Sequence, residues 1–552
     1  MLWSRAVMLG GALAVSGASA FTGNTTAYID DLFDESMSFL DQIYDPTAGY
    51  LWYFYYPSAA GKHETRSTVW YAAGLLRRNE GDDVDNAVKI ITNVIGDQQK
   101  NVSAQWFGDY TKYPQEPTVG TEWYPEKIYN SWDPNWRGFI GTTLIVIYEE
   151  YGALLPQETR TLILESMRNN TIGDSYRVGG VDGDNLYPAY SNPAIMRAVA
   201  SGWTGRKLND TNMTAAGELY AREVLDLFDR NGTLSEFNSA TYAGISLYAL
   251  TLWAKYMPAE SVMGDNGARM VADIWRSIGE LYNANLRNVA GPWDRTYGWD
   301  MNLYIGILNA YIWSLVGQDK APGINTVSKG GRTPAWATTH ADDFQIAPLL
   351  AALMPYHHTL IPDEVVAKLS AFPGEHTYAA SALSPPWDLA QRNVTSWLSE
   401  NLTIGAESFD QTVVGGASIN QEQWAPAVAQ WLRADGSVGW LSYWATESAM
   451  QVDVQPYRLE LTYPKGNESS IFTFTIGSNP IGQKRDVVEW GDVMGLNVNV
   501  SGTVDLSHQV AFCGLMGGSC ESVHGFEFWN FTYVMPAGST ETPNIVLDLE
   551  LV

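Results

Sequence analysis

From residue 27 to about residue 372, two kinds of apolar pattern alternate along the chain. One kind is apolar on nearly every side and rich in Gly, Ala and Ser. The other carries apolar residues at i, i+3, i+4 and i+7 with charge on the opposite face. The first kind predicts inner helices that approach one another closely, and the second predicts helices with one face in solvent. AYIDDLFDESMSFLDQIYD, residues 27–45, opens the series with an acidic outer face. The pairs that follow are 63–78 with 85–99, 132–152 with 157–169, 190–202 with 212–229, and 239–256 with 264–286. Residues 298–316 come next, and 342–354 with 362–372 close the run. Each inner helix is entered through a polar, aromatic loop. About six hairpins of this kind predict a mainly α toroid. GYLWYFYYP, residues 49–57, reads as a short strand or a loop lying over a cleft.

After about Gly374 the helical spacing fades, and after Gln451 it gives way to period two. VDVQPYRLELTYP, SSIFTFTIGS, FEFWNFTYVMP and NIVLDLELV alternate apolar and polar positions between Gly, Pro and Asn turns, which predicts a C-terminal antiparallel β-sandwich. The organisation expected is a leader over 1–20, a helical toroid over 21–375, a connecting region over 376–450 with one helix in QEQWAPAVAQWLRADG, and a sandwich over 451–552.

Composition places the chain in a compartment. Met1–Ala20 has Arg5, an apolar stretch and the small-x-small site Ala18-Ser19-Ala20, the plan of a secretory signal peptide. Its apolar run is too short for a membrane anchor. Sequons begin at Asn24, Asn101, Asn169, Asn209, Asn212, Asn231, Asn393, Asn401, Asn467, Asn499 and Asn530, so a secreted, extracellular glycoprotein is expected. Cys513 and Cys520 flank a Gly-rich turn and read as a disulfide. A net charge of −28 leaves no basic stripe for nucleic acid or an anionic membrane, so neither partner is expected. The chain carries 22 Trp and 30 Tyr, more than a core needs, which points to an aromatic cleft for ring-shaped ligands. A monomer without metal or cofactor is expected. Phosphate-loop, H-E-x-x-H, G-x-S-x-G and helical D-D-x-x-D signatures are absent, which disfavours nucleotide hydrolysis, zinc proteolysis, serine hydrolysis and terpene ionisation.

Four polar clusters sit at loop-to-helix entries. Asp133 lies between Trp132 and Trp136 and reads either as a general acid beside a stacked ring or as the cap of a helix beginning at Pro134. Glu236, Asn238 and Tyr242 read as an acid or base, a hydroxyl or carboxylate holder and a proton donor. Equally, Asn238 or Ser239 would cap the next helix. Trp293, Asp294, Arg295, Tyr297 and Asp300 offer two carboxylates to the cleft, with Arg295 pairing with one of them or binding a substrate carboxylate. His340, beside Asp342 and Asp343, is the best histidine base candidate, while His357 and His358 read as a helix C-terminal cap.

With loops such as SEFNSATYAG and GPWDRTYGWDM on such a scaffold, the chain resembles the secreted (α/α)6-toroid carbohydrate-active enzymes. These include toroid glycosidases and the toroid-plus-sandwich lyases of the heparinase II/III type. Resemblance to the hydrolases implies an acid–base pair of Glu236 with Asp133 or Asp294. Resemblance to the lyases implies Asn238, His340, Tyr242 or Tyr297, and Arg295. The expectation taken forward is hydrolysis of a polysaccharide or glycoside by two carboxylates in an aromatic cleft. The alternatives are β-elimination on a uronate-containing glycan, a cyclase or isomerase of an apolar small molecule, and non-catalytic glycan binding.

Overall fold

The structure is a computed structural model. It describes residues 25–53, 61–303, 306–323, 341–416, 423–477, 487–514, 518–521, 523 and 526–552. The leader, Asn24 and His340 lie outside the described residues. Twelve α-helices occupy the described part up to Ser370: α1 Thr25–Ile43, α2 Thr65–Arg78, α3 Asp83–Gly96, α4 Asn135–Tyr151, α5 Gln157–Asp174, α6 Ser191–Leu208, α7 Thr211–Asn231, α8 Ala243–Tyr256, α9 Val262–Leu281, α10 Ile307–Val316, α11 Ala347–His357 and α12 Asp363–Ser370. Helices α2, α4, α6 and α8 are buried along most of their length and pack side by side. The ring continues through α10 and α1 and returns to α2 through α11. Outside it lie α3, α5, α7 and α9, each paired with the inner helix before it. Side-chain caps start several helices. Asp210 accepts from the backbone N–H groups of Asn212 and Met213 at α7, and Ser261 accepts from that of Gly264 at α9.

Small residues set how near the helices come. A Cβ added to Gly217 on α7 would stand 2.4 Å from the backbone nitrogen of Gly202 on α6, so only Gly allows that crossing. The closing hairpin differs from expectation. Helix α12 packs on α9 and α10 rather than on α11. Helix α11 is apolar on nearly every side and is largely buried against α1 and α2. His357 is a core residue and not a cap. Its ring lies between Thr251 Oγ1 at 2.6 Å and the indole N–H of Trp275 at 2.8 Å.

From His376 to Leu551 the described chain forms one antiparallel sheet of twelve strands, curled so that two layers face each other. The inner faces meet through Ile404, Trp431, Leu441 and Phe474 on one layer and Leu459, Leu461, Ile545 and Leu547 on the other. Helices followed by a β-sandwich is the fold class that the pattern predicts. The region 376–450 is not a connector with a helix, however. It contributes strands His376–Ala382, Arg392–Leu398, Leu402–Asp410, Ala427–Leu432 and Val438–Trp444. In AVAQWL the alternation is real: Ala427, Ala429 and Trp431 enter the sheet core, while Val428 and Gln430 face the helices. Cys513 and Cys520 are disulfide-bonded. No described helix is long and apolar enough to cross a membrane.

The outer face of the large layer docks on the loop before α10. Trp293 and Ala425 exchange backbone hydrogen bonds of 3.0 and 2.9 Å, and Trp299 stacks on Trp440 with centroids 4.7 Å apart. Gly405 meets this loop most closely, because a Cβ there would lie 1.8 Å from the carbonyl oxygen of Gly291. Gly405→Ala is therefore expected to lower stability by about 1–3 kcal/mol, read as a shift in the chemical-denaturation midpoint. An unchanged midpoint would show that the two halves can separate freely at this contact.

Candidate active site

The polar entrances of the inner helices gather at one end of the ring, and direct contacts tie them together. Asn135, in the first turn of α4, donates from Nδ2 to the Tyr190 hydroxyl at 3.2 Å, and Tyr190 precedes α6. Asn192, in the first turn of α6, donates to Glu236 Oε2 at 3.3 Å. Arg66, in the first turn of α2, reaches Asp343 at 3.0 Å and Asp342 at 3.4 Å, in the 3₁₀ turn before α11. Every entrance is a helix N-terminus, so partial positive charge from several helices is directed at the same space.

Arg295 is the hub. Its Nη1 donates to Glu236 Oε1 at 2.6 Å and its Nη2 to the Tyr190 hydroxyl at 2.8 Å. The guanidinium lies 4.2 Å from the Tyr190 ring centroid and 4.3 Å from that of Tyr242. The backbone of Arg295 has φ +53°, a left-handed conformation that few non-Gly residues adopt and that turns its side chain away from that of its neighbour Asp294. Tyr242 donates from its hydroxyl to that of Tyr297 at 3.4 Å. Arg295, Tyr242 and Tyr297 are mostly buried but each keeps some surface in solvent. Burial holds the Tyr242 phenol well above its ordinary value, Tyr297 adds to the shift, and Arg295 opposes it. Burial also pushes Tyr190 up to about 12 against the pull of Arg295.

Among the residues that sequence reasoning singled out, the structure brings together Glu236, Arg295, Tyr242 and Tyr297. Asp133 lies beside them, half-exposed. Its carboxyl is raised by burial, while Oδ1 accepts the Asn135 backbone N–H at 3.0 Å, so the capping reading also holds. Trp136 is half-buried under the Arg66 guanidinium, and Trp132 is buried beside Trp106. Asn238 spends its amide hydrogens on the carbonyls of Ala290 and Pro292, at 2.7 and 2.8 Å, and fixes the Arg295 loop. Ser239 is the cap: its hydroxyl accepts from the Tyr242 N–H at 3.0 Å and donates to the Arg295 carbonyl at 2.9 Å.

Three residues expected to line the cleft do not. Asp294 turns into the sheet and pairs with Arg392 at 3.2 Å. Asp300 is buried and accepts from Asn288 and Asn302, both at 2.9 Å. Trp293 is fully buried. Arg295 accordingly pairs with Glu236 rather than with either aspartate. Sequence reasoning missed Asn135, Tyr190, Asn192 and Arg66. The signal was available, since each occupies the same helix-entry position as Asp133 and Tyr242.

Beneath the cleft, Asp109 is 1% exposed and its carboxyl is pushed up to about 8, by burial against the pull of Arg137. The folded protein keeps this proton between about pH 4 and 8, where an unfolded chain with the ordinary value of 3.8 releases it. Stability contributed here is therefore full at the acid end of that window and lost as the pH rises through it. Thermal midpoints should fall from pH 5 to pH 8, and Asp109→Asn should flatten that slope. An equal slope in both proteins would refute the assignment.

A family model described as a domain of unknown function (DUF8769) matches residues 30–355, more than half of the chain. The chain belongs to that family. A second model, likewise a domain of unknown function (DUF8770), matches residues 374–550. The DUF8769 match thus covers the helical ring with its cleft, and the DUF8770 match covers the sheet. No curated protein matches the chain. Among solved structures, the chain is similar to a Streptomyces coelicolor A3 chondroitin AC lyase in complex with chondroitin sulphate. The identity is 8% and the TM-score 0.35, covering 97% of this chain and 80% of that one. It is similar to a Paenibacillus xanthan lyase at 9% identity and a TM-score of 0.33, covering 96% and 57%. It is also similar to a heparinase III at 9% identity and a TM-score of 0.29, covering 97% and 84%. Likeness at such scores says nothing of the chemistry, which rests on this chain's own residues.

Proposed function

We propose that this DUF8769 protein is a secreted polysaccharide lyase that cleaves a uronate-containing glycan by β-elimination. The observation that carries the reading is the Tyr242–Tyr297 hydroxyl pair, 3.4 Å apart beside Arg295 on the partly exposed face of the cluster. Two adjacent phenols divide the two proton transfers between them. Tyr297, acting as the phenolate, takes the proton from C5 of the uronate and becomes the phenol. The C5–H electrons form the C4=C5 double bond, the C4–O4 bond breaks, and Tyr242 gives its proton to the departing O4. Tyr242 suits the acid role because burial keeps it protonated. Arg295 stabilises the negative charge that develops on the uronate carboxylate, helped by the converging helix N-termini. Glu236, Tyr190, Asn135 and Asn192 hold Arg295 in place. Asp294 is committed to Arg392, so the carboxylate pair Glu236–Asp294 is unsuited to hydrolysis.

A second reading, hydrolysis, is favoured by one observation: the carboxyl of Asp133 is raised by burial at the cleft surface, as a general acid requires. Incubation with neutral and uronate polysaccharides separates the two. Elimination gives new reducing ends together with absorbance at the unsaturated-uronate band. Reducing ends without that absorbance would overturn the lyase reading and support Asp133 with Glu236.

A further inference from the structure

Just before α2, Tyr53 is paired by its backbone N–H to the Lys62 carbonyl, and Lys62 lies against Tyr113, all outside the machinery assigned above. The two tyrosine rings are perpendicular, with centroids 5.8 Å apart. The Lys62 ammonium lies 3.6 Å from the Tyr113 centroid and 4.8 Å from that of Tyr53. Lys62 lies four residues before Arg66, whose guanidinium is 5.0 Å from the ring centroid of Trp136, the chain neighbour of Asn135. This corner therefore borders the reacting centre through Arg66. Its cations differ in how they are committed. Arg66 is engaged by Asp343, Asp342 and Glu64 at 3.0, 3.4 and 3.8 Å, and Lys112 faces Glu116 at 3.6 Å. Lys62 sits on tyrosine faces instead, and among the described residues no carboxylate forms an ion pair with it.

We infer that Tyr53, Lys62 and Tyr113 form a second sugar subsite, which takes the carboxylate of a neighbouring uronate on the same unsulfated chain. The aromatic faces offer a surface for a pyranose ring, and the ammonium above them supplies one positive charge. Glu64 and Glu116 bear on that ammonium through charge, and Asp342 borders the same corner. One carboxylate is balanced by Lys62. A sulfate added to the same sugar meets the surrounding carboxylates unbalanced, so repulsion selects against sulfated polymers. This inference rests on the proposed cleavage of a uronate polymer.

The test uses the full chain carrying Tyr242→Phe, so that ligand is bound without turnover, with and without Lys62→Met. Binding of an unsulfated oligoglucuronate is measured against a neutral cello-oligosaccharide and a sulfated uronate oligomer. The expected result is that Lys62→Met weakens oligoglucuronate binding about tenfold, reduces its salt dependence and leaves the neutral sugar unaffected. The sulfated oligomer should bind less tightly than the unsulfated one. Equal oligoglucuronate affinity in both proteins, or tighter binding of the sulfated oligomer, would overturn the subsite. If binding depends on Lys62 while the wild-type protein releases reducing ends without unsaturated product, the subsite stands and elimination falls.

Discussion

Tyr242→Phe is expected to lower the rate of unsaturated-product formation by about 10²–10⁴-fold, the usual contribution of a positioned general acid, with the fold intact. The substitution removes one oxygen. It keeps the ring that lies 4.3 Å from the Arg295 guanidinium and the backbone N–H that Ser239 accepts. The packing that holds Arg295 therefore survives, and only the proton donor to O4 is lost. Turnover should fall far more than apparent affinity, because the hydroxyl acts in the transition state. Initial rates at saturating polymer, with a thermal melt of the same sample, check this. A variant that keeps more than a tenth of the wild-type rate would remove Tyr242 from the mechanism. Tyr297→Phe should show a comparable loss, since it takes the proton that Tyr242 does not.

Arg392→Met is expected to cost about 3–5 kcal/mol of stability, the largest effect of any single change considered. Arg392 is 1% exposed and lies among three carboxylates. Its Nε donates to Asp388 at 3.0 Å, and its Nη1 is 3.2 Å from both Glu407 and Asp294. Its Nη2 donates to the carbonyl of Ser235 at 2.6 Å. Removing the cation strands buried acids with no compensating charge. Burial, with Asp294 adding and Arg392 opposing, pushes the Glu407 carboxyl up to about 7. At neutral pH that acid is close to half-protonated, which softens the loss without cancelling it. The loss should appear as a lower urea midpoint. The surviving folded fraction should also turn over more slowly, because Ser235 and Asp294 are the immediate chain neighbours of Glu236 and Arg295. A midpoint within about 1 kcal/mol of wild type would show that the cluster is dispensable to the fold.

The helical ring was legible in the sequence because its signal is long. Inner helices such as 239–256 repeat a small-residue, all-round apolar pattern over several turns. The strand Ala427–Leu432 was not, because six mostly apolar residues fit a buried helix as well as a strand until their neighbours are known. The candidate cluster was legible where a polar loop before an inner helix carried an unusual residue, as at Glu236 and Tyr242 before α8 and at Arg295 in the loop that precedes α10. It was misread at Asp294 and Trp293 for a local reason. Sequence adjacency does not fix side-chain direction, and the left-handed backbone at Arg295 sends it to the cleft while Asp294 points into the sheet. Asn135 and Asn192 were overlooked because an Asn at a helix start reads first as a cap.

The loop that carries Arg295 is bonded to the sheet through Trp293 and Ala425 and to the helical ring through Asn238. Neither half of the chain therefore owns the cleft. Grafting this ring onto a different sheet would lose the register of Arg295 even with every cleft side chain retained, so recombination between relatives should succeed only when the crossover keeps residues 286–300 and 423–432 from the same parent.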